Sequence, residues 1–108
     1  MKTAKKIIKT KQESKKKDTG NWTFLTNHLH VILCLHRDEE TTVRSLALSI
    51  GVTERSVQRI LNELVEAQVI TREREGRRNV YKIDYKYRLR HQLEKNHNIG
   101  ELLELLKE

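Results

Sequence analysis

The sequence lacks several features on which whole classes of protein depend. A single cysteine, Cys34, excludes a disulfide within the chain and suits a reducing compartment. There is no run of about 18 apolar residues, so we expect no membrane-spanning helix. The basic N-terminus lacks the apolar core of a signal peptide. These absences together predict a cytoplasmic protein, and the positive charge described below predicts that it is nucleoid-associated.

The patterns that mark enzymes and metal sites are also missing. The chain has no glycine-rich phosphate loop and no order of Ser, His and Asp residues that matches a catalytic triad. It also has no carboxylate pair with a cleft to hold it. Its five histidines are not accompanied by paired cysteines or by a recognisable ligand spacing. Cys34 lies among apolar residues, where a buried, unreactive thiol is more common than a redox switch. We therefore expect no enzymatic activity, no cofactor and no bound metal.

Positive charge is abundant and unevenly distributed. The formal net charge of +7 favours polyanionic partners, nucleic acid first and an acidic membrane surface second. Residues 1–20 carry eight lysines against two acidic residues, whereas the rest of the chain is nearly neutral. This segment has too few apolar side chains to form a core, so we predict a disordered basic arm. Its lysines either contact DNA or only keep the chain soluble, and the candidates for contact are Lys15, Lys16 and Lys17.

Residues 21–84 show the apolar spacing of three consecutive helices. The N-cap of the first helix is Thr26 or Asn27. This helix is apolar around so much of its circumference that more than one of its sides must be buried. The second side faces either the interior or another subunit. The second helix ends at Gly51, a residue free to adopt positive φ. Its apolar positions recur at i, i+3, i+4 and i+7, as Val43, Leu46, Ala47 and Ile50.

The third helix begins after Thr53, a good N-cap, and runs to about Ala67. Its apolar stripe consists of Val57, Ile60, Leu61 and Leu64. Arg55 and Arg59 lie on the opposite side of the helix. Two helices joined by a glycine turn, with arginines facing outward from the second, are typical of a helix-turn-helix. That unit places its second helix in the major groove of DNA.

Two strands follow, over Val69–Glu75 and Val80–Ile83, with Gly76–Asn79 as the turn. We expect Glu73 to lie opposite Lys82, and Tyr81 and Ile83 to share the face that covers the helices. Three helices and then a hairpin is the order of a winged helix. The predicted fold class is mainly α with a small β-hairpin (α+β), and residues 21–84 form the DNA-binding domain.

The remaining residues, 85–108, predict a linker and a leucine-rich helix capped by Asn98. So short a helix has little of its own domain to pack on, so we expect it to dimerise with the first helix of a partner. The predicted interface combines apolar positions of the first and last helices with one histidine. These residues are Leu25, His28, Leu29, Ile99, Leu102, Leu103 and Leu106.

The chain resembles the winged-helix transcriptional regulators of bacteria and archaea, MarR- and ArsR-like in layout, over residues 22–106. In the helix-turn-helix, Ala47, Gly51 and Val57 occupy the small-residue, turn-glycine and apolar positions of that pattern. The segment Gly76-Arg77-Arg78-Asn79 matches its wing. The resemblance implies a homodimer on an inverted-repeat operator, more often a repressor, and leaves the effector open. Typical MarR proteins are longer and carry longer dimerisation helices.

In such a complex, residues near the start of the third helix reach base edges. Arg55 and Arg59 suit guanine and Gln58 suits adenine, while wing residues suit the minor groove or its phosphates. The recognition-helix candidates are Thr53, Arg55, Ser56, Gln58 and Arg59. The wing candidates are Arg74, Arg77, Arg78 and Asn79.

Two other functions remain open. Winged helices also serve as protein-docking modules, although several outward arginines argue against that use here. A replication, plasmid or viral DNA-binding factor would use the same site, because the fold does not determine the process. Whether the protein is a transcriptional regulator or such a factor, we expect double-stranded DNA as the partner and no membrane.

Overall fold

The computed structural model describes residues 22–107, which contain four helices and one two-stranded antiparallel sheet. The helices are α1 (Asn27–Arg37), α2 (Val43–Ile50), α3 (Glu54–Glu66) and α4 (Ile99–Leu106). The strands are β1 (Ile70–Glu75) and β2 (Arg78–Ile83). The predicted fold class, mainly helical with a hairpin in the order of a winged helix, is confirmed.

Threonine hydroxyls determine where the first three helices begin. Thr26, Thr42 and Thr53 each accept a backbone N–H from three residues further on, at 3.4, 3.0 and 3.0 Å. Such a cap satisfies one of the N–H groups that have no partner within the helix, and it typically contributes about 1 kcal/mol. The predicted cap of α3 is confirmed, and Thr26 rather than Asn27 caps α1.

Gly51 makes the turn between α2 and α3. Its φ is +87°, in the left-handed region, and its N–H donates to the carbonyl of Ala47 at 2.8 Å. A Cβ at this position would meet nothing within 4 Å, so glycine is favoured by backbone conformation and not by lack of space. The predicted turn is confirmed, and it fixes the angle at which α3 leaves α2.

The core lies between the first three helices, the hairpin and α4. The predicted apolar stripe of α3 is buried, with Val57 and Leu61 at most 1% exposed. The prediction that α1 is buried on more than one side is also confirmed, because Leu29 and Val31, which lie on nearly opposite sides of the helix, are 8% and 0% exposed. Burial of these side chains orients α3, so that its polar side must face away from the domain.

The hairpin differs from its predicted register. Glu75 lies opposite Arg78, which leaves Gly76 and Arg77 as a two-residue loop in place of the predicted four-residue turn. Gly76 has a φ of +67°, the positive value that short hairpin loops favour. The prediction that Glu73 lies opposite Lys82 is therefore wrong. Their actual partners are Val80 and Thr71. The shift is by two residues, so it does not exchange the faces, and Tyr81 and Ile83 are buried on the same face as predicted.

Helix α4 belongs to the same core as the other helices. Ile99 and Leu103 are 3% and 1% exposed, and the N–H groups of Ile99 and Gly100 donate to the carbonyls of Tyr87 and Tyr85 at 3.0 and 2.9 Å. Asn98 caps the helix as predicted, in a reciprocal capping box with Glu101. The expectation that α4 has too little of its own domain to pack on is wrong. The segment after β2 turns back and supplies the surface on which the helix lies.

Candidate nucleic-acid interface

The exposed side of α3 faces away from the core, opposite its buried stripe. Arg55 lies near the start of the helix, and Gln58 and Asn62 follow at spacings that keep them on the same side. All three side chains are exposed. Neither Arg55 nor Gln58 has a side-chain partner within residues 22–107, so both are available to a ligand. This is the side that the sequence predicted for base contacts.

Thr53 and Ser56 have unequal roles at the start of α3. Thr53 Oγ1 accepts the backbone N–H of Ser56 at 3.0 Å and donates its own hydrogen to Ser56 Oγ, also at 3.0 Å. The Thr53 hydroxyl is therefore used by the cap. The Ser56 hydroxyl retains its hydrogen, and it is the better donor to an external phosphate oxygen.

Arg59 is paired within the domain. Its Nη1 lies 3.5 Å from Glu63 Oε2, one turn further along α3. The other carboxylate oxygen of Glu63 lies 2.7 Å from Nε2 of His28 on α1. The hydrogen bond with His28 is the main reason that the pKa of Glu63 lies below its ordinary value, with the charge of Arg59 adding to the effect. Because Glu63 partly neutralises it, Arg59 is a weaker candidate for DNA contact than Arg55.

The two faces of the hairpin carry different side chains. The inner face is the one that packs on the helices, and the register assigns it Ile70, Arg72, Arg74, Asn79, Tyr81 and Ile83. The outer face carries Thr71, Glu73, Glu75, Arg78, Val80 and Lys82. The wing candidates Arg74 and Asn79 therefore share the inner face. Arg77 lies at the tip, exposed and without a side-chain partner in the part of the chain that the structure describes.

Arg78 is the wing candidate that the structure separates from the others. It lies in β2 and not in the turn, and its guanidinium bonds the carboxylate of Glu40 in the connection between α1 and α2. Two residues further on, Lys82 pairs with Glu39 at 3.2 Å, and the hydrogen bond with Glu39 is the main reason that the pKa of Lys82 is raised. These acidic side chains neutralise the outer face.

Two further arginines near the interface are absent from the predicted set. Arg72 is exposed on the inner face of the hairpin, and its Nη2 donates to Asn62 Oδ1 on α3 at 2.6 Å. Arg44 is exposed in the first turn of α2, without a side-chain partner in residues 22–107. The alternation of Ile70, Arg72 and Arg74 along β1 could have indicated Arg72. Arg44 could have been found from the rule that the first helix of the motif crosses the DNA backbone.

The other predicted site residues fall into two groups. The lysine candidates of the arm, Lys15, Lys16 and Lys17, lie outside the described residues. Of the predicted dimer residues, Leu29, Ile99 and Leu103 are buried in the chain's own core, because α4 packs on its own domain. These three are therefore unavailable to a partner as the domain is folded, which corrects that part of the prediction. The rest are half-buried: Leu25, His28, Leu102 and Leu106.

Three other features of residues 22–107 bear on the alternatives that the sequence raised. Burial raises the pKa of the Cys34 thiol, which favours the unreactive form. Among residues 22–107, no group of three or more histidine, cysteine or carboxylate side chains is arranged to hold a metal ion. Within the same range, no helix has both the length and the apolar character that crossing a membrane requires.

Comparison with known protein families matches residues 25–71 to the family described as winged helix-turn-helix DNA-binding. This match covers 47 of the 108 residues, from just before α1 into β1, and it agrees with the winged helix-turn-helix that the sequence predicted. Among solved structures the chain is similar to the zinc-dependent MarR family transcriptional regulator AdcR in its Zn(II)-bound state, with 23% identity and a TM-score of 0.43. That alignment covers 62% of this chain and 48% of the other, so the match spans about half of that regulator. No curated protein matches the chain.

Proposed function

We propose that this winged helix-turn-helix domain binds double-stranded DNA sequence-specifically and regulates transcription as a repressor. Helix α3 enters the major groove and the wing reaches the adjacent minor groove. The observation that carries the proposal is the position of Arg55. It is exposed and unpaired within residues 22–107, and it lies near the start of a helix whose opposite stripe is completely buried. Its guanidinium can make a bidentate contact to guanine without first breaking an internal bond.

The remaining contacts divide by chemistry. Gln58 follows Arg55 on the exposed side and suits adenine, while Ser56 donates to a phosphate beside the start of the helix. Arg77 at the wing tip and Arg74 on the inner face suit the minor groove and its phosphates. Arg74 Nε donates to the carbonyl of Gly76 at 3.2 Å, which leaves its terminal nitrogens for DNA. Arg59 contributes only after it leaves Glu63.

Selection from a random duplex library, followed by fluorescence anisotropy on the selected and a scrambled duplex, tests this function. We expect tighter binding to the selected duplex and a steep fall of affinity with salt, because lysine and arginine contacts release counterions. Equal affinity for both duplexes would contradict sequence-specific binding. Absence of binding to either duplex at low salt would favour a protein-docking module instead.

We also propose that the protein acts as a homodimer on an inverted-repeat site. The support is a set of exposed apolar side chains near α1 and α4: Phe24 is 91% exposed, and Leu93 and Leu105, which line one groove with Leu102, are 89% and 79% exposed. The half-buried Leu25 and Leu102 line another groove of about 260 Å³. Exposed leucines and aromatic rings that cluster in this way are typical of protein contact surfaces.

A light-scattering mass of the full chain, with and without Leu105→Glu, tests the dimer. We expect twice the monomer mass for the wild type and the monomer mass for the variant. Leu48→Glu is the matched control, because Leu48 is 76% exposed but lies on α2, away from the predicted dimer surface. A wild-type monomer mass, both free and on a selected DNA site, would refute the proposed dimer.

A further inference from the structure

Arg72 is held in place from two sides. Its Nη2 donates to Asn62 Oδ1 at 2.6 Å, and its guanidinium carbon lies 5.6 Å from the centre of the Tyr81 ring. Tyr81 is opposite Arg72 in the hairpin register, and it is only 5% exposed. The ring is therefore a rigid support for the guanidinium, which gains a cation–π interaction there. An arginine fixed in this way loses less rotamer freedom when it binds a ligand than a free one does.

The position of Arg72 matters as much as its rigidity. It connects the middle of α3, through Asn62, to β1 of the wing. When α3 lies in a major groove and the wing in the neighbouring minor groove, one sugar-phosphate strand separates the two grooves. That strand must pass over the junction between α3 and the wing. Arg72 is exposed at this junction, and its Nε and Nη1 have no partner within residues 22–107.

We propose that Arg72 binds the phosphodiester strand that separates the two grooves, and that Asn62 is its positioning residue. The inference rests on the proposed function and extends it. A planar guanidinium with free N–H groups fits the paired oxygens of a phosphate. One contact at this junction sets the register of recognition helix and wing on the same DNA strand. It provides affinity and orientation, but no base discrimination.

Asn62 acts through Arg72 and not on a base. Its Oδ1 is already engaged by the 2.6 Å hydrogen bond, which is one half of the bidentate pattern that an asparagine uses for adenine. Loss of its side chain leaves the charge of Arg72 in place but frees the guanidinium to move. The effect of losing Asn62 should therefore be the same on every DNA sequence.

The experiment measures the affinity of the full chain for the selected and scrambled duplexes over a range of salt concentrations. The variants are Arg72→Gln, Arg72→Lys and Asn62→Ala. Lys95→Gln is the control for loss of one positive charge, since Lys95 is exposed and lies between β2 and α4, outside both α3 and the wing. Thermal unfolding of each variant checks that the fold is retained. Arg72→Lys keeps the charge where Arg72→Gln removes it, which separates charge from geometry.

Arg72→Gln should weaken both duplexes by the same factor and lower the salt slope by about 0.9, the value for one phosphate contact. Arg72→Lys should restore the slope but not the full affinity, and Asn62→Ala should weaken both duplexes equally with the slope retained. Arg72→Gln behaving like Lys95→Gln, while the wild type binds, would overturn the role of Arg72 alone. A loss confined to the selected duplex for Asn62→Ala would overturn its positioning role. A wild-type protein that binds neither duplex would refute the proposed function itself.

Discussion

The two faces of the wing hairpin contrast in how their cations are used. On the inner face, Arg72 is supported by Asn62 and Tyr81, neither of which carries a negative charge, and it remains exposed. On the outer face, Arg78 and Lys82 are each paired with a carboxylate from the connection between α1 and α2. The faces are formed by alternate residues of the same strands, yet only the inner one keeps its positive charge. Proximity in sequence therefore says little about which cations are available to DNA.

The same contrast occurs within α3. Arg55 and Arg59 are one turn apart, and the sequence alone assigned them equal roles. Arg55 has no side-chain partner in the described part of the chain, whereas Arg59 lies 3.5 Å from Glu63. The positive charges available to DNA must therefore be counted after those that are paired with acidic side chains of the domain are left out. By that count, the available cations are Arg55 on α3, Arg44 on α2, and Arg72, Arg74 and Arg77 in the wing.

The two faces keep their different roles only while the hairpin packs on the helices. Of the changes considered, loss of that packing should have the largest effect. Ile70 is 1% exposed and lies on the inner face, two residues before Arg72. We expect Ile70→Ala to lower the free energy of unfolding by about 2–5 kcal/mol, because it leaves a cavity where β1 meets the core. Urea denaturation measures the change. Thr71→Ala, at an exposed position of the outer face, is the control and should have little effect.

Replacing Arg55 and Arg59 in turn should show that they contribute unequally to the free energy of DNA binding. We expect Arg55→Ala to cost about 1–3 kcal/mol of binding free energy on a selected duplex and to relax specificity at one base pair. Arg59→Ala should cost less, because wild-type Arg59 must give up Glu63 before it contacts DNA. Anisotropy on duplexes with single base-pair changes measures both. A larger loss for Arg59→Ala would show that the pair with Glu63 breaks readily in the complex.

A pair of wing variants compares the two faces directly. We expect Arg74→Gln, on the inner face, to weaken binding and lower the salt slope by about one unit. Arg78→Gln should change the slope less, since the charge of Arg78 is already offset by Glu40. Glu40→Gln should strengthen binding to all sequences slightly, because it removes one negative charge and leaves the positive charge of Arg78 uncompensated. If Arg78→Gln matched Arg74→Gln in salt-dependent titrations, the outer face would have to contact DNA as well.

The smallest expected effect is a change with pH at Glu63. Its pKa in the folded chain is lowered, chiefly by the hydrogen bond with His28. The stability it contributes is therefore present above its ordinary pKa of 4.5 and is lost as the pH falls through the lowered value. We expect His28→Ala to raise the pKa of Glu63 in an NMR titration. Glu101 is the internal control, because its lowered pKa comes mainly from the backbone N–H of Asn98 and should not move.

Much of the helix-turn-helix could be predicted because its signals are local. Thr53 caps α3, Gly51 takes positive φ, and the stripe of α3 repeats with the helical period. The hairpin register was less accessible, because the same residues accommodate a four-residue or a two-residue turn. The pairing of Arg78 with Glu40 spans 38 residues, and no local pattern indicates it.

The position of α4 is another feature that local sequence patterns do not predict. Its cap at Asn98 and its apolar spacing were predicted correctly, since both are properties of the helix alone. Its burial was not, because it depends on the chain between Ile83 and Asn98 turning back on itself. There, carbonyls of Tyr85 and Tyr87 accept the first N–H groups of the helix. Leucine spacing indicates that a face is buried, but it cannot distinguish the chain's own core from another subunit.

The sequence by itself determined which segments are helices, where α2 turns into α3 and which side of α3 is buried. Caps, glycine conformation and apolar period act within a few residues, so they can be identified without the rest of the chain. Only the tertiary structure decided which cations remain available beside that helix. Arg72 supported by Asn62 and Tyr81, Arg59 tied to Glu63 and Arg78 tied to Glu40 all depend on contacts between elements. Such contacts follow from how the faces pack, which local periodicity does not specify.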